Sequence, residues 1–118
     1  MAMAFARTHK RAGKPVMEHQ IVQLKLNEMH ALTEALRSYV LRTAWEMDNH
    51  TQGVNAVLIM NWATSVIQRV TTLNMDIHAA GGAGMDAMAD KLVRDGIIWT
   101  HLAGDASQRL KAVRRFAR

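Results

Sequence analysis

The sequence predicts an all-α protein, an up-and-down bundle of four-helix type. Three observations carry this reading. Apolar residues recur every three or four positions through two long segments, the spacing of a single helix face. The chain of 118 residues holds one proline, so nothing breaks those segments from within. Strand signals are few, and a sheet protein is disfavoured.

Taken in order, residues 2–12 (AMAFARTHKRA) are expected to form a short helix that Gly13 and Pro15 stop. From Glu18 to Met47 the residues Val22, Leu26, Met29, Leu32, Leu36, Val40 and Met47 make one apolar stripe. That predicts a long helix over 18–48, about eight turns. The polar run from Asp48 to Gly53 is the break, with Asn49 or Thr51 available as the next N-cap. Ile59, Ala63, Val66, Val70, Leu73 and Ile77 then predict a second long helix over 52–80, ended by the glycine cluster at 81–84. Asp86 is positioned to cap a short helix running through Leu92 and Val93. After a break near Trp99 to Gly104, Asp105 and Gln108 read as a capping box for a last helix over 106–117.

Composition sets further bounds. At this length one domain, residues 1–118, is expected, and it can bury about two thirds of its unfolded surface. With 49% apolar and 21% charged residues, disorder is disfavoured. The absence of cysteine excludes disulfides, thiolate metal sites and a cysteine nucleophile, and allows a cytoplasmic location. The net charge of +5 is unevenly placed: nine of the fifteen basic residues lie in residues 1–14 and 109–118, which hold no acid. Basic ends suit an anionic partner such as phosphate, nucleic acid or a membrane surface, but they also suit a simple solvated charge run.

Most chemical signals are negative. The six histidines (9, 19, 30, 50, 78, 101) include no i, i+4 pair, so no metal site is expected. No Gly-x-Ser-x-Gly elbow surrounds Ser38, Ser65 or Ser107. A nucleic-acid binder would show a basic reading helix, whereas the long helices here carry both signs. Gly81, Gly82 and Gly84 serve equally as a helix stop or as a backbone cradle for a phosphate.

Five segments give that cluster a context: Gly13–Gln20 (GKPVMEHQ), Ala44–Asp48 (AWEMD), His78–Gly84 (HAAGGAG), Lys91–Asp95 (KLVRD) and Ala103–Gln108 (AGDASQ). In this order and at these separations they resemble the C-terminal helical domain of the acyl-CoA dehydrogenases, over essentially the whole chain. The resemblance implies an FAD flavoprotein acting between the α and β carbons of an acyl-CoA thioester. In that family a carboxylate removes the α proton and the flavin accepts the β hydride. It also implies a homo-oligomer, a dimer or tetramer, with Trp45 or Trp62 near a contact, and a role in fatty acid metabolism.

The family usually opens this domain with Arg-x-x-Phe-Gly-Lys-Pro, the Arg pairing with the FAD pyrophosphate. Here His9 stands for that Arg and Ala12 for the Phe, while Gly13, Lys14 and Pro15 match. Gln20 matches the family's cofactor-side Gln. The Gln-x-x-Gly-Gly-x-Gly segment that lies along the FAD of an adjacent subunit becomes His78, Gly81, Gly82 and Gly84. The resemblance thus implies a cofactor side made of His9, Arg11, Gln20, His78, Gly81, Gly82, Gly84 and Asp105, with Arg7 and Lys10 adding charge. Where many members carry the catalytic Glu of Tyr-Glu-Gly-Thr, this chain has Leu102, Ala103, Gly104 and Asp105. Ala103 takes no proton, so no catalytic residue is assigned, though His101 and Asp105 flank the position.

The N-terminal helical and middle β domains of the family have no counterpart in this sequence. Two functions are therefore expected. One is a domain of such a flavoprotein, inactive alone: a truncated product, a fragment, or a subunit completed by another chain. The other is a stand-alone helical interaction protein that has lost FAD.

Overall fold

The computed structural model describes residues 1–49, 54–78 and 88–103, together with Ser107, Leu110, Lys111, Val113 and Arg114. Its order is α1 (Ala2–Thr8), a two-stranded hairpin of β1 (Lys10–Arg11) and β2 (Lys14–Pro15), one turn of 3-10 helix (Val16–Glu18), then α2 (Gln20–Asp48), α3 (Val54–His78) and α4 (Met88–Ala103). The all-α architecture is as the periodicity predicts.

Helix α1 is shorter than the expected 2–12. It stops at Thr8, whose hydroxyl donates back to the Ala4 carbonyl at 3.0 Å, and His9 turns extended (φ −92°, ψ 145°). The hairpin that follows is a finding the sequence reading lacks. Ala12 (φ 49°) and Gly13 (φ 80°) form its two-residue loop, both in the left-handed region that such a tight turn demands. Arg11 pairs with Lys14 and Lys10 with Pro15. The Val16 N–H then donates to the His9 carbonyl at 2.8 Å. Antiparallel pairs alternate between bonded and unbonded, so Pro15 occupies an unbonded pair where its missing N–H costs nothing.

Helix α2 keeps nearly its expected bounds, and so does α3, with residues 52–53 and 79–80 outside the described ones. Asn49 does not cap α3. Its side chain and its backbone N–H both donate to the Trp45 carbonyl, at 2.8 and 3.1 Å, so it closes α2. The two helices run antiparallel, with Lys25 paired to Asp76 at 3.0 Å, Arg69 to Glu28, and Tyr39 against Trp62 at 6.0 Å between ring centroids. Ile59, Ala63, Val66, Leu73 and Ile77 are buried as the stripe of α3 predicts. On α2 only the first part of the stripe is buried. Val22 and Leu26 join Ala2, Ala6, Val16 and Ile77 in one core, whereas Val40 and Met47 stay exposed.

Helix α4 corrects the expected short helix. It runs unbroken from Met88 to Ala103, through the segment read as a break. Gly96 sits inside it as a point of contact with α3: a Cβ there would lie 3.2 Å from Ile67 Cγ2 and 3.4 Å from Thr71 Oγ1. The glycine is where two helices close on one another. Ser107, Leu110, Lys111, Val113 and Arg114 are helical, in agreement with the last expected helix, while Asp105 and Gln108 of its capping box lie outside the described residues. Among the described residues, no helix is long and apolar enough to cross a membrane.

Candidate cofactor-side site

Four pieces of chain meet at one end of the bundle: the end of α1, the hairpin, the start of α2 and the end of α3. Phe5 is at the centre. Its ring stacks on His9 (centroids 3.9 Å, 19° between planes), and it meets His78 on α3 at 4.2 Å and 36°. The spacing of Phe5 and His9 is one helical turn, so α1 itself brings the two rings together. The hairpin then folds back, and Arg11 Nη2 donates to the His78 carbonyl at 3.4 Å. His19, just before α2, donates from Nε2 to the Arg11 carbonyl at 3.1 Å and so ties the hairpin to the long helix.

His78 is buried, with 6% of its surface exposed. Its Nδ1–H donates to the Asn74 carbonyl at 2.7 Å, since a carbonyl can only accept. That bond fixes the tautomer and holds the ring inside, against Phe5. His9 is exposed by contrast, as are Arg7, Lys10, Arg11 and Lys14. The hairpin end is therefore a cationic surface with no acidic residue of its own, suited to an anion of pyrophosphate type. Beside it a recess of about 230 Å³ is lined by Arg11, His19, Lys25 and Asp76, the last two bonded to each other at 3.0 Å.

Three of the expected site residues, His9, Arg11 and His78, thus come together around Phe5. Gln20 lies nearby in sequence as the first residue of α2, one place after His19, and is exposed. Gly81, Gly82, Gly84 and Asp105 lie outside the described residues. Ala103 is the last residue of α4, with His101 and Leu102 exposed before it. Sequence reasoning missed Phe5 and His19. The i, i+4 spacing of Phe5 and His9 was the signal for the first, and nothing local announced the second.

A bundle of these helices with this cationic end defines a class. The sequence model described as acyl-CoA dehydrogenase, C-terminal domain matches residues 1–116, and the chain belongs to that family. Benzylmalonyl-CoA dehydrogenase of Aromatoleum aromaticum is 30% identical over 116 residues, covering 95% of this chain and 30% of the relative. The 3-sulfinopropanoyl-CoA desulfinase of Paraburkholderia xenovorans is 28% identical over 106 residues, 90% of this chain and 27% of the relative. Among solved structures, butyryl-CoA dehydrogenase from Megasphaera elsdenii superposes with a TM-score of 0.91 at 24% identity, over 99% of this chain and 31% of that one. The chain spans between a quarter and a third of the length of the curated relatives it matches.

Proposed function

We propose that the chain serves as the C-terminal bundle of an FAD-dependent acyl-CoA dehydrogenase-type flavoprotein. In this reading it supplies one side of the cofactor site and contacts between subunits, and is inactive alone. The observation that carries the proposal is the exposed basic cluster of Arg7 in α1, His9 after it, and Lys10, Arg11 and Lys14 of the hairpin, at the segment where the resemblance puts the FAD pyrophosphate. The charge and the exposed backbone of the turn fit that group. Bound FAD would supply a hydride acceptor. This chain's residues would hold the pyrophosphate through His9 and Arg11, with Gln20 and the backbone of Gly81, Gly82 and Gly84 alongside. Proton abstraction needs a carboxylate beside the substrate, and the matching position is Ala103. Hydride transfer also needs the flavin enclosed on both sides, and one bundle makes one wall. The family's other domains would complete the site, with contacts to a homo-oligomer or a partner chain. Trp45, 63% exposed, is available for such a contact, while Trp62 packs on Tyr39 within the chain.

One observation favours the second reading, a helical interaction protein without FAD. The ring of His78, where the family has Gln, is turned inward and its Nδ1 is committed to Asn74. Mixing the purified chain with the N-terminal and middle domains of a related dehydrogenase tests the choice. A stable complex that carries yellow flavin supports the first reading. A stable complex that stays colourless with added FAD supports the second.

A further inference from the structure

We infer that His9 is a proton-gated donor to a diphosphate: its free ring nitrogen accepts when the ring is neutral and donates when it is charged, without the ring moving. The inference rests on the proposed reading for the anion, and on the hydrogen bonds of the ring alone for the gate.

The gate begins with how Nδ1 is tied. It lies 3.2 Å from the Phe5 carbonyl and 3.1 Å from the Thr8 hydroxyl oxygen. The carbonyl can only accept. The Thr8 hydroxyl has a single hydrogen, which goes to the Ala4 carbonyl at 3.0 Å or to the Phe5 carbonyl at 3.3 Å. Both neighbours therefore need a donor at Nδ1, and neutral His9 is the Nδ1–H tautomer. Its lone pair is left on Nε2, which has no partner among the described residues. His9 is exposed, so that atom is open to a ligand. A lone pair there repels a phosphate oxygen. One proton added at Nε2 turns the same atom into a charge-assisted donor.

Nothing else has to change, because the ring plane is already held. It stacks on Phe5 at 3.9 Å with 19° between planes, and a cation over an aromatic face is favourable. Phe5 is held in turn by His78, buried at the end of α3, at 4.2 Å. The proton alters Nε2 while Nδ1 keeps its two acceptors.

The surroundings select an anion. Arg7 on α1 and Lys10, Arg11 and Lys14 on the hairpin are exposed cations. The acids of the neighbouring elements are Glu18, exposed in the 3-10 turn, and Asp76 on α3, which pairs with Lys25 at 3.0 Å. Two further imidazoles stand at this end. His19 Nε2 donates to the Arg11 carbonyl, and His78 Nδ1 to the Asn74 carbonyl. Of the three, His9 alone is exposed.

An anion held by Nε2–H prefers the charged ring, so its binding draws a proton onto His9. By reciprocity, lower pH tightens the anion. Imidazole is the side chain that ordinarily changes charge between about pH 5 and pH 8, a window in which carboxylates, lysine and arginine ordinarily keep theirs. An arginine at this position would hold the anion with no such dependence.

The test is calorimetric titration of the full chain with ADP-ribose, at about pH 5.5 and about pH 8, in phosphate-free buffers of two ionisation enthalpies. ADP-ribose carries a diphosphate esterified at both ends, as FAD does, so the ligand itself takes up no proton in this range. The expected result is affinity about five- to tenfold weaker at the higher pH, with uptake of up to about one proton per ligand bound. His9→Gln should bind weakly at both pH values, and His9→Arg tightly at both, each without proton uptake. His19→Gln, which keeps a donor for the Arg11 carbonyl, should retain the full pH dependence. Circular dichroism of each variant shows that the fold is kept. Equal affinity of the parent chain at the two pH values overturns the gate and leaves the cofactor reading standing. A pH dependence that survives in His9→Gln assigns the proton to another group and overturns the gate as well. No binding by the parent or by His9→Arg at either pH overturns the gate and the cofactor reading together.

Discussion

Arg69 grips Glu28 with two parallel hydrogen bonds across the α2–α3 seam, Nε to Oε1 at 2.6 Å and Nη2 to Oε2 at 2.9 Å. The paired geometry matches a planar guanidinium to a carboxylate and fixes the register of the two long helices more closely than a lysine could. The Arg69 hydrogen bonds hold the Glu28 carboxyl below its ordinary value, and Glu28 in turn raises Arg69. The sign of the effect follows. Stability from the pair is complete above the ordinary carboxylate range, and it is lost as pH falls through the lowered value. Glu28→Gln should therefore melt below the parent protein at neutral pH, and the two melting curves should converge in acid. Because both groups are exposed, the gap should also narrow with added salt. Thermal melts across pH at two salt concentrations check this. A gap that is constant in both would deny the pair its role.

Ala12 carries a conformational cost. A residue with a Cβ at φ 49° is disfavoured by about 1 kcal/mol, and the two-residue turn demands that conformation. Asn enters the left-handed region more readily. Ala12→Asn should stabilise the chain by about 0.5–1 kcal/mol, read as a higher denaturant midpoint with unchanged slope. A lower midpoint would show that the hairpin does not hold this turn in solution.

The α3–α4 contact depends on Gly96. A larger side chain there must displace Ile67 and Thr71 or move α4. Gly96→Leu should destabilise by about 2 kcal/mol through overpacking, despite leucine's better helix propensity. A denaturant titration measures the balance. A neutral or stabilised variant would mean that α4 is free to shift away from α3.

These sites show where the sequence was readable. Apolar spacing alone placed α2 and α3, because each carries one apolar face and the period of 3.6 survives every local exception. The stretch from Trp99 to Ala103 was misread as a break, whereas α4 runs on through it to Ala103. The hairpin was missed because its two strands are two residues each, too short for any alternation to register. The candidate site was legible by resemblance, as positions 9, 11, 20 and 78. Its centre, Phe5, was not, because the partner that makes it central stands 73 places away at His78. The exposed end of the α2 stripe looked like core for a related reason. Periodicity says which face is apolar, and leaves open whether this chain covers it.

The cationic hairpin makes the last prediction. If Arg11 and His9 meet a pyrophosphate, the affinity should follow charge and reach. Arg11→Ala removes one exposed guanidinium and releases the His78 carbonyl, so ADP, which carries the same diphosphate as FAD without the flavin, should bind more weakly by about three- to tenfold. His9→Arg restores the family's residue at that position and adds a fork of donors that keeps its charge at every working pH, so it should tighten ADP binding by a similar factor. That variant also gives up the ring stacked on Phe5 at 3.9 Å. Its melting temperature must therefore be followed alongside the titration, so that lost packing is not read as lost affinity. Both effects should shrink as salt rises, because exposed charges at phosphate distance are screened within about 10 Å at 0.1 M. The purified chain should turn over no acyl-CoA with FAD and a dye acceptor, whichever variant is used, because Ala103 offers no base. Isothermal titration of ADP at two salt concentrations, beside that turnover assay, decides the matter. Equal ADP affinity in the parent, Arg11→Ala and His9→Arg would remove the hairpin from any cofactor site. Turnover by the isolated chain would mean that a carboxylate elsewhere does the work of the missing Glu.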